Sequence, residues 1–391
     1  MMSSRSFAIA AGLCLFGAAS AFAQGSSLPW GQSSDQVGWE TFVQVTAPSG
    51  IPGSKNVEFE TWGSDEDLYL TDPPKWPVVP SPKVLHQSVL AIARAPARGP
   101  APLAIGPGGC QPPNDAEAGK FPSGACIGEE VRRNWASFQY IVGNNLFTRS
   151  GLAAAAAKKF VVDMPADSIE VKGDWVKFAA LKAWLKTTIN KDLTDDQIRA
   201  LYHVNTVKES DGDTEYALVA FHFSSKQIKN WVWSDFEHEL NPGRCDDTGC
   251  HDSFGARLED VAKKNSRGPN GQDVDGNQDY GACAKSDALE LMMKNAGIGG
   301  EWRHYCMKGT QVTFVNADGT PSLLGNSVIE RIAAGVPILK SSCITCHATA
   351  AFKANGQANA VREVIGPFDP NSLDGMIQND FVWGIALQLR Q

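Results

Sequence analysis

After its first two dozen residues the sequence has no apolar run long enough to cross a bilayer, so no transmembrane helix is expected. It is also short of positive charge. Thirty-five Lys and Arg stand against 43 Asp and Glu, the formal net charge is -8, and the basic residues are scattered rather than clustered. Nucleic acid and anionic membrane surfaces are therefore not expected partners. No phosphate-binding loop and no Ser-His-Asp order stands out to name a hydrolytic or nucleotide site. A regular strand-helix-strand rhythm is missing as well, which favours an α+β body over a doubly wound α/β fold. Methionine is scarce, and Met376 is the only one beyond residue 347.

What is present is a chain of 391 residues, 43% hydrophobic and 9% aromatic, the composition of a globular protein with a substantial core. Residues 1–23 read as an export signal: Arg5 in a short positive start, an apolar run from position 7 to 19, and the cleavage box Ala21-Phe22-Ala23. The expected product is an exported, periplasmic protein in an oxidising compartment.

Near the C-terminus stands Cys343-Ile344-Thr345-Cys346-His347, a C-x-x-C-H sequence. On a helix, residues three and four apart share a face, so both thiols and the imidazole would project together. That arrangement suits covalent attachment of a haem by two thioethers, with His347 as one iron ligand. A redox disulfide or half of a zinc site uses the same residue types. Zinc would need a second ligand pair at similar spacing, and none lies close by. The disulfide motif expects a buried strand and a helix start, whereas the preceding run is short and interrupted by Pro337.

With this motif the C-terminal region resembles a bacterial periplasmic c-type cytochrome. The resemblance implies one covalent haem c held by Cys343, Cys346 and His347, attached after export, and redox proteins as partners. Stretches 231–238, 309–314 and 324–330 are also similar to phrases in exported bacterial proteins that end in a haem motif. The chain departs from the small cytochrome c pattern, in which the motif opens the domain and a methionine ligand follows much later. So short a tail can hardly enclose a haem, and the body is expected to supply part of the pocket. Candidate sixth ligands are then Met376, His222, His238, His251, His304 and Met307, and an open iron site is the alternative.

The expected organisation is a signal over 1–23, an α+β body over 24–335, and a short, mainly helical haem-binding region over 336–391 packed on that body. Six cysteines remain after Cys14 and the motif pair are set aside, and proximity pairs Cys110 with Cys126, Cys245 with Cys250, and Cys283 with Cys306. Cys245, Cys250 and His251 also spell C-x4-C-H, which resembles a variant attachment sequence in some multihaem cytochromes; a second haem there is the alternative to a disulfide-closed loop. The Asn/Asp/Gly-rich run at 273–279 lacks the order of a calcium loop.

Local signals place helices over 36–45 (capped by Asp35), 129–142, 151–160, 195–202 behind the capping box at Thr194, and 286–295. Strands are expected over 57–62, 169–176, 216–223, 231–239 and 311–315, the last followed by a hairpin turn. Residues 73–125, rich in proline, read as an extended loop pinned by Cys110 and Cys126. His222 and His238, among Phe221, Phe223, Trp231, Trp233 and Phe236, are read either as part of an aromatic core or as a pocket wall facing the haem. Function is expected to be periplasmic electron transfer; the alternatives are a haem-dependent oxidoreductase with an open iron site and a haem-free binding protein.

Overall fold

The computed structural model describes residues 28, 32–78, 80, 83–86, 121–122, 125, 127–209, 212–245, 247–256, 266–267, 273–274 and 283–387. The stretch expected to be an export signal, Cys110, Cys126 and most of the proline-rich stretch lie outside these residues, as does most of the 273–279 run.

The body is built on a seven-stranded, wholly antiparallel sheet. Its strands are β1 (Gly63–Ser64), β2 (Ile127–Arg133), β3 (Ile169–Lys177), β4 (Val204–Glu209), β5 (Gly212–Ser225), β6 (Val232–His238) and, after the short pair β7 (Ser266–Arg267) and β8 (Asp273–Val274), β9 (Tyr305–Gln311). The order across the sheet is β1-β2-β3-β5-β6-β9, with β4 also pairing along β5. β5 is the centre: β3 runs along one edge, while β4 and β6 share the other. With the helices described next, this makes the chain an α+β protein.

One face of the sheet is aromatic. Helix α1 (Ser34–Thr46) lays Trp39 and Phe42 on Phe221 and Phe236, with Trp302 and Tyr305 closing the cluster. Its cap is Ser33, whose hydroxyl accepts from the Gln36 amide, rather than Asp35. Asp35 instead accepts from the Ser253 amide at 2.8 Å.

The opposite face changes character along β5. At one end Ala217, Val219 and Ala220 join helices α4 (Phe178–Ile189) and α5 (Asp195–Leu201) in an apolar cluster; at the other end the residues are charged or polar. A β-bulge separates the two halves: Asp174 pairs with Ala220 but Trp175 pairs with Leu218, so Val219 is the extra residue. One inserted residue reverses the inside-outside phase of a strand, and so Leu218 and Phe221 reach the same aromatic core.

The expected strands over 169–176, 216–223 and 231–239 are present, as are the helix after Thr194 and the helix Asp287–Asn295. The expected 129–142 helix is corrected. Residues up to Arg133 form β2, paired with β1 and β3, and Asn134 then caps α2 (Trp135–Gly143). Helix α3 follows over Arg149–Ala157. The expected strand over 57–62 is a tight helical turn, Glu58–Thr61, because Glu60 turns its carboxylate inward onto Lys83 (3.1 Å), His203 (3.2 Å) and Asn205 (2.9 Å). Gln311 ends a strand instead of starting one; beyond it, Val315 bridges Pro321 around a turn.

The C-terminal region is less helical than its sequence suggests. Helix α7 (Cys343–Ala348), which follows α6 (Asp287–Asn295), stops after six residues although the region was expected to be mainly helical. There Ala351–Lys353 forms β10, which pairs with β11 (Met376–Gln378). Pro370–Leu373 is a single turn, and Gly384–Leu387 (α8) is the last helix described. The region shares an apolar cluster with the body: Ile344, Ala348, Phe352, Val382 and Ile385 pack with Leu68, Phe138, Met164 and Trp231.

Candidate functional site

The polar half of the sheet is the floor of a cavity. In register across the strands lie Arg133, Glu170, Ser224 and Trp233, and beside them Val131, Lys172 and His222. All seven line the cavity. Its other wall comes from far along the chain: Leu324, Glu330, residues 340–343, Cys346, His347, residues 361–364, Trp383, Gly384 and Leu387. The cavity volume is about 130 Å3, within a wider opening of about 1180 Å3 that includes open solvent. Residues of the sheet and of the C-terminal region together form it.

Helix α7 is only six residues long and is held from outside. Gln311, at the end of β9, accepts from the Ile344 amide (3.2 Å) and donates to the Ser322 carbonyl (2.8 Å) and the Ser342 hydroxyl (3.2 Å). Thr345 donates to the Gly366 carbonyl at 2.9 Å, and Gln378 donates to the Ala348 carbonyl at 2.8 Å. These contacts fix which face of the helix meets the cavity. Gly384 lets the last turn come down on the body, since a Cβ there would lie 2.9 Å from Nη2 of Arg133 and 3.2 Å from the Tyr69 hydroxyl.

Cys343 and Cys346 carry free thiols. Burial pushes both up, helped by the Glu330 carboxylate; Cys346 rises to about 11, and both are uncharged at neutral pH. His347 donates from Nδ1 to the Phe381 carbonyl at 2.8 Å, which leaves Nε2 as the lone-pair nitrogen. Burial lowers its pKa to about 4, so the ring is neutral. Trp233 lies against it, ring centres 4.4 Å apart. The accepting carbonyl is itself positioned. Asp380 and Phe381 have positive φ, 48° and 71°, and the Asp380 carboxylate holds this turn by taking the Lys226 ammonium at 2.6 Å and the Met164 amide at 2.7 Å.

Charge is dense on the floor. Lys172 pairs with Glu129 at 2.7 Å; Arg133 pairs with Asp65 (2.7 Å) and Glu170 (3.2 Å) while its Nη2, fully buried, has no hydrogen-bond partner. Both carboxylate oxygens of the buried Asp174 also lack one. Burial, with Glu129 and Glu330 nearby, holds Asp174 well above the usual carboxylate range against the pull of Lys172.

Of the six sixth-ligand candidates, His222 alone lines the cavity. His238 is satisfied elsewhere: Nε2 meets the Leu201 carbonyl at 3.1 Å, Nδ1 accepts from the Leu240 amide, and the ring stacks on Tyr202 at 3.5 Å. His304 is bound to Glu239 at 2.8 Å and His251 to the Thr248 carbonyl at 3.0 Å. Met307 lies in the aromatic core and Met376 faces Lys353 across the β10-β11 pair. The expected aromatic grouping is therefore divided: Trp233 faces the cavity with His222, whereas Phe221, Phe223 and Phe236 turn to the other side.

The C-x4-C-H alternative is corrected. Cys245 and Cys250 are joined in a disulfide, and both thiols are consumed. Cys283 pairs with Cys306 as expected, and the Cys110–Cys126 pairing lies outside the described residues. Among the described residues no group of three or more His, Cys, Asp and Glu is placed to hold a metal ion by protein ligands alone. Sequence reasoning missed Gln311, Arg133, Lys226 and Asp380, none of which carries a local signal of its role. Compared with protein-family models, curated proteins and solved structures, the chain finds no match.

Proposed function

We propose that this cavity holds one covalently attached haem and that the protein is an exported, periplasmic electron-transfer cytochrome of the c type. The observation that carries the reading is the state of the motif: two free thiols and a neutral imidazole, its Nδ1 fixed by a carbonyl, on one helix at the edge of one cavity.

The residues present fit the group. Cys343 and Cys346 would tether it by adding each S–H across a vinyl double bond, a step that releases nothing and needs no oxidant. His347 would give Nε2 to the iron, and its hydrogen bond to Phe381 would set the tautomer and the basicity of the ligand. Val131, Leu324, Val336, Val364 and Leu387 offer apolar contact. The unpartnered Nη2 of Arg133, with Lys340 and Arg362 at the wall, offers cations for the haem carboxylates. When bound, the haem supplies reversible one-electron chemistry at a potential tuned by axial ligation, burial and nearby charge. Redox proteins are the partners that chemistry calls for.

The test is chemical. Protein exported in a bacterium that attaches haem to such motifs should keep its haem through acid-organic extraction and show a reduced c-type spectrum. Protein carrying no covalent haem under these conditions would overturn the proposal.

A further inference from the structure

We propose that His222 supplies the second axial ligand to the iron, opposite His347, so that the coordination shell is closed by the body of the protein rather than by its tail. This rests on the haem reading above and deepens it. The residue stands mid-strand on β5, paired in register with Lys172 on β3 and Asp235 on β6, so its backbone is fixed from both sides. Its side chain lines the same cavity as His347, and Trp233, whose ring lies against His347, sits on the neighbouring strand opposite Ser224.

The chain's own bonding leaves this imidazole unexplained. Nδ1 of His222 is buried and has no hydrogen-bond partner, so no bond from the described residues holds the ring at that nitrogen. The other histidines in contention are satisfied by carbonyls or carboxylates outside the cavity. Lys172, paired in register with His222, is held by Glu129 at 2.7 Å.

A ligand from the sheet and a ligand from α7 would clamp the haem between body and tail. Both histidines would also be set in rigid surroundings, which limits the rearrangement that accompanies a change of iron oxidation state. That is the coordination expected of a carrier, not of a site that binds a small oxidant.

The experiment uses the full-length holoprotein. Covalent haem is verified first; its absence contradicts the haem reading itself and is seen before any spin state is measured. With haem present, the ferric protein should be low-spin and the reduced protein should not bind carbon monoxide. His222→Ala should become high-spin and bind it. His222→Met, which carries the test if the alanine variant does not fold, should stay low-spin with a raised reduction potential, as methionine ligation gives. Met376→Leu should leave the spectrum unchanged. A high-spin, carbon monoxide-binding native protein, or a His222→Ala protein that stays low-spin, would overturn the assignment of His222 while leaving covalent haem in place.

Discussion

The chain contains two cysteine pairs each followed at once by a histidine, and the fold treats them in opposite ways. At Cys245, Cys250 and His251 the sulfurs are bonded to each other and the imidazole meets a carbonyl three residues back. At Cys343, Cys346 and His347 the sulfurs are free, and the imidazole reaches across to Phe381. The residue types are the same; the surroundings are not. The first pair closes its own loop, whereas the second is held open on a short helix by Gln311, Thr345 and Gln378, over a cavity floored by the sheet. A cysteine-histidine sequence becomes a candidate cofactor site when something outside it supplies the space.

Four variants sharpen or break this contrast. The largest effect is expected from Cys343→Ser with Cys346→Ser, which should abolish covalent haem in the exported protein; haem retained in that double variant would move the site elsewhere. Next is Lys226→Met. Removing one partner of the buried Lys226–Asp380 pair should cost about 3–5 kcal/mol in a denaturant titration and loosen the turn that presents the Phe381 carbonyl. A change below 1 kcal/mol, roughly the size of an exposed pair, would show that the turn holds without it.

Cys245→Ser with Cys250→Ser should leave haem content unchanged and cost about 2 kcal/mol, the loop-closure value for so short a ring. Loss of haem from this variant would mean that the two sites are coupled.

The smallest effect concerns a buried acid of β3. Asp174 has its folded pKa raised above the unfolded value, first by burial and then by Glu129 and Glu330. Such an acid takes up a proton on folding, so its penalty grows as pH rises above the unfolded pKa and disappears at low pH. Asp174→Asn should therefore gain stability over the native protein as pH rises from 5 to 6, by at most about 1.4 kcal/mol over that unit. Parallel stability profiles in urea would remove Asp174 from the set of protonated acids.

Much of the frame was legible. The alternation over 169–176, the paired runs of β5 and β6, and the capping box at Thr194 are local signals, and the structure keeps them. Residues 129–133 were not legible, because a good helix-forming composition is overridden by pairing on both edges with β1 and β3. Asn134, as the helix cap, was the one local hint. The cavity was illegible for a deeper reason. Alternation in β3 predicts one buried and one wet face, and Glu170, Lys172 and Asp174 read as the wet one. Glu170 and Lys172 instead line a cavity whose other wall arrives more than a hundred residues later, Asp174 is fully buried, and nothing in the strand announces either. The motif itself was legible, while the partners that orient it, from Gln311 to Asp380, depend on the fold.

The most direct measurement is peptide mapping by mass spectrometry of the protein recovered from the periplasm of a bacterium that attaches haem to such motifs. The account predicts one haem per chain, on the peptide that contains Cys343, Cys346 and His347, with Cys245 and Cys250 still joined to each other. A haem on the Cys245–Cys250 peptide, or an unmodified Cys343–His347 peptide with its sulfurs free or bonded together, would contradict it.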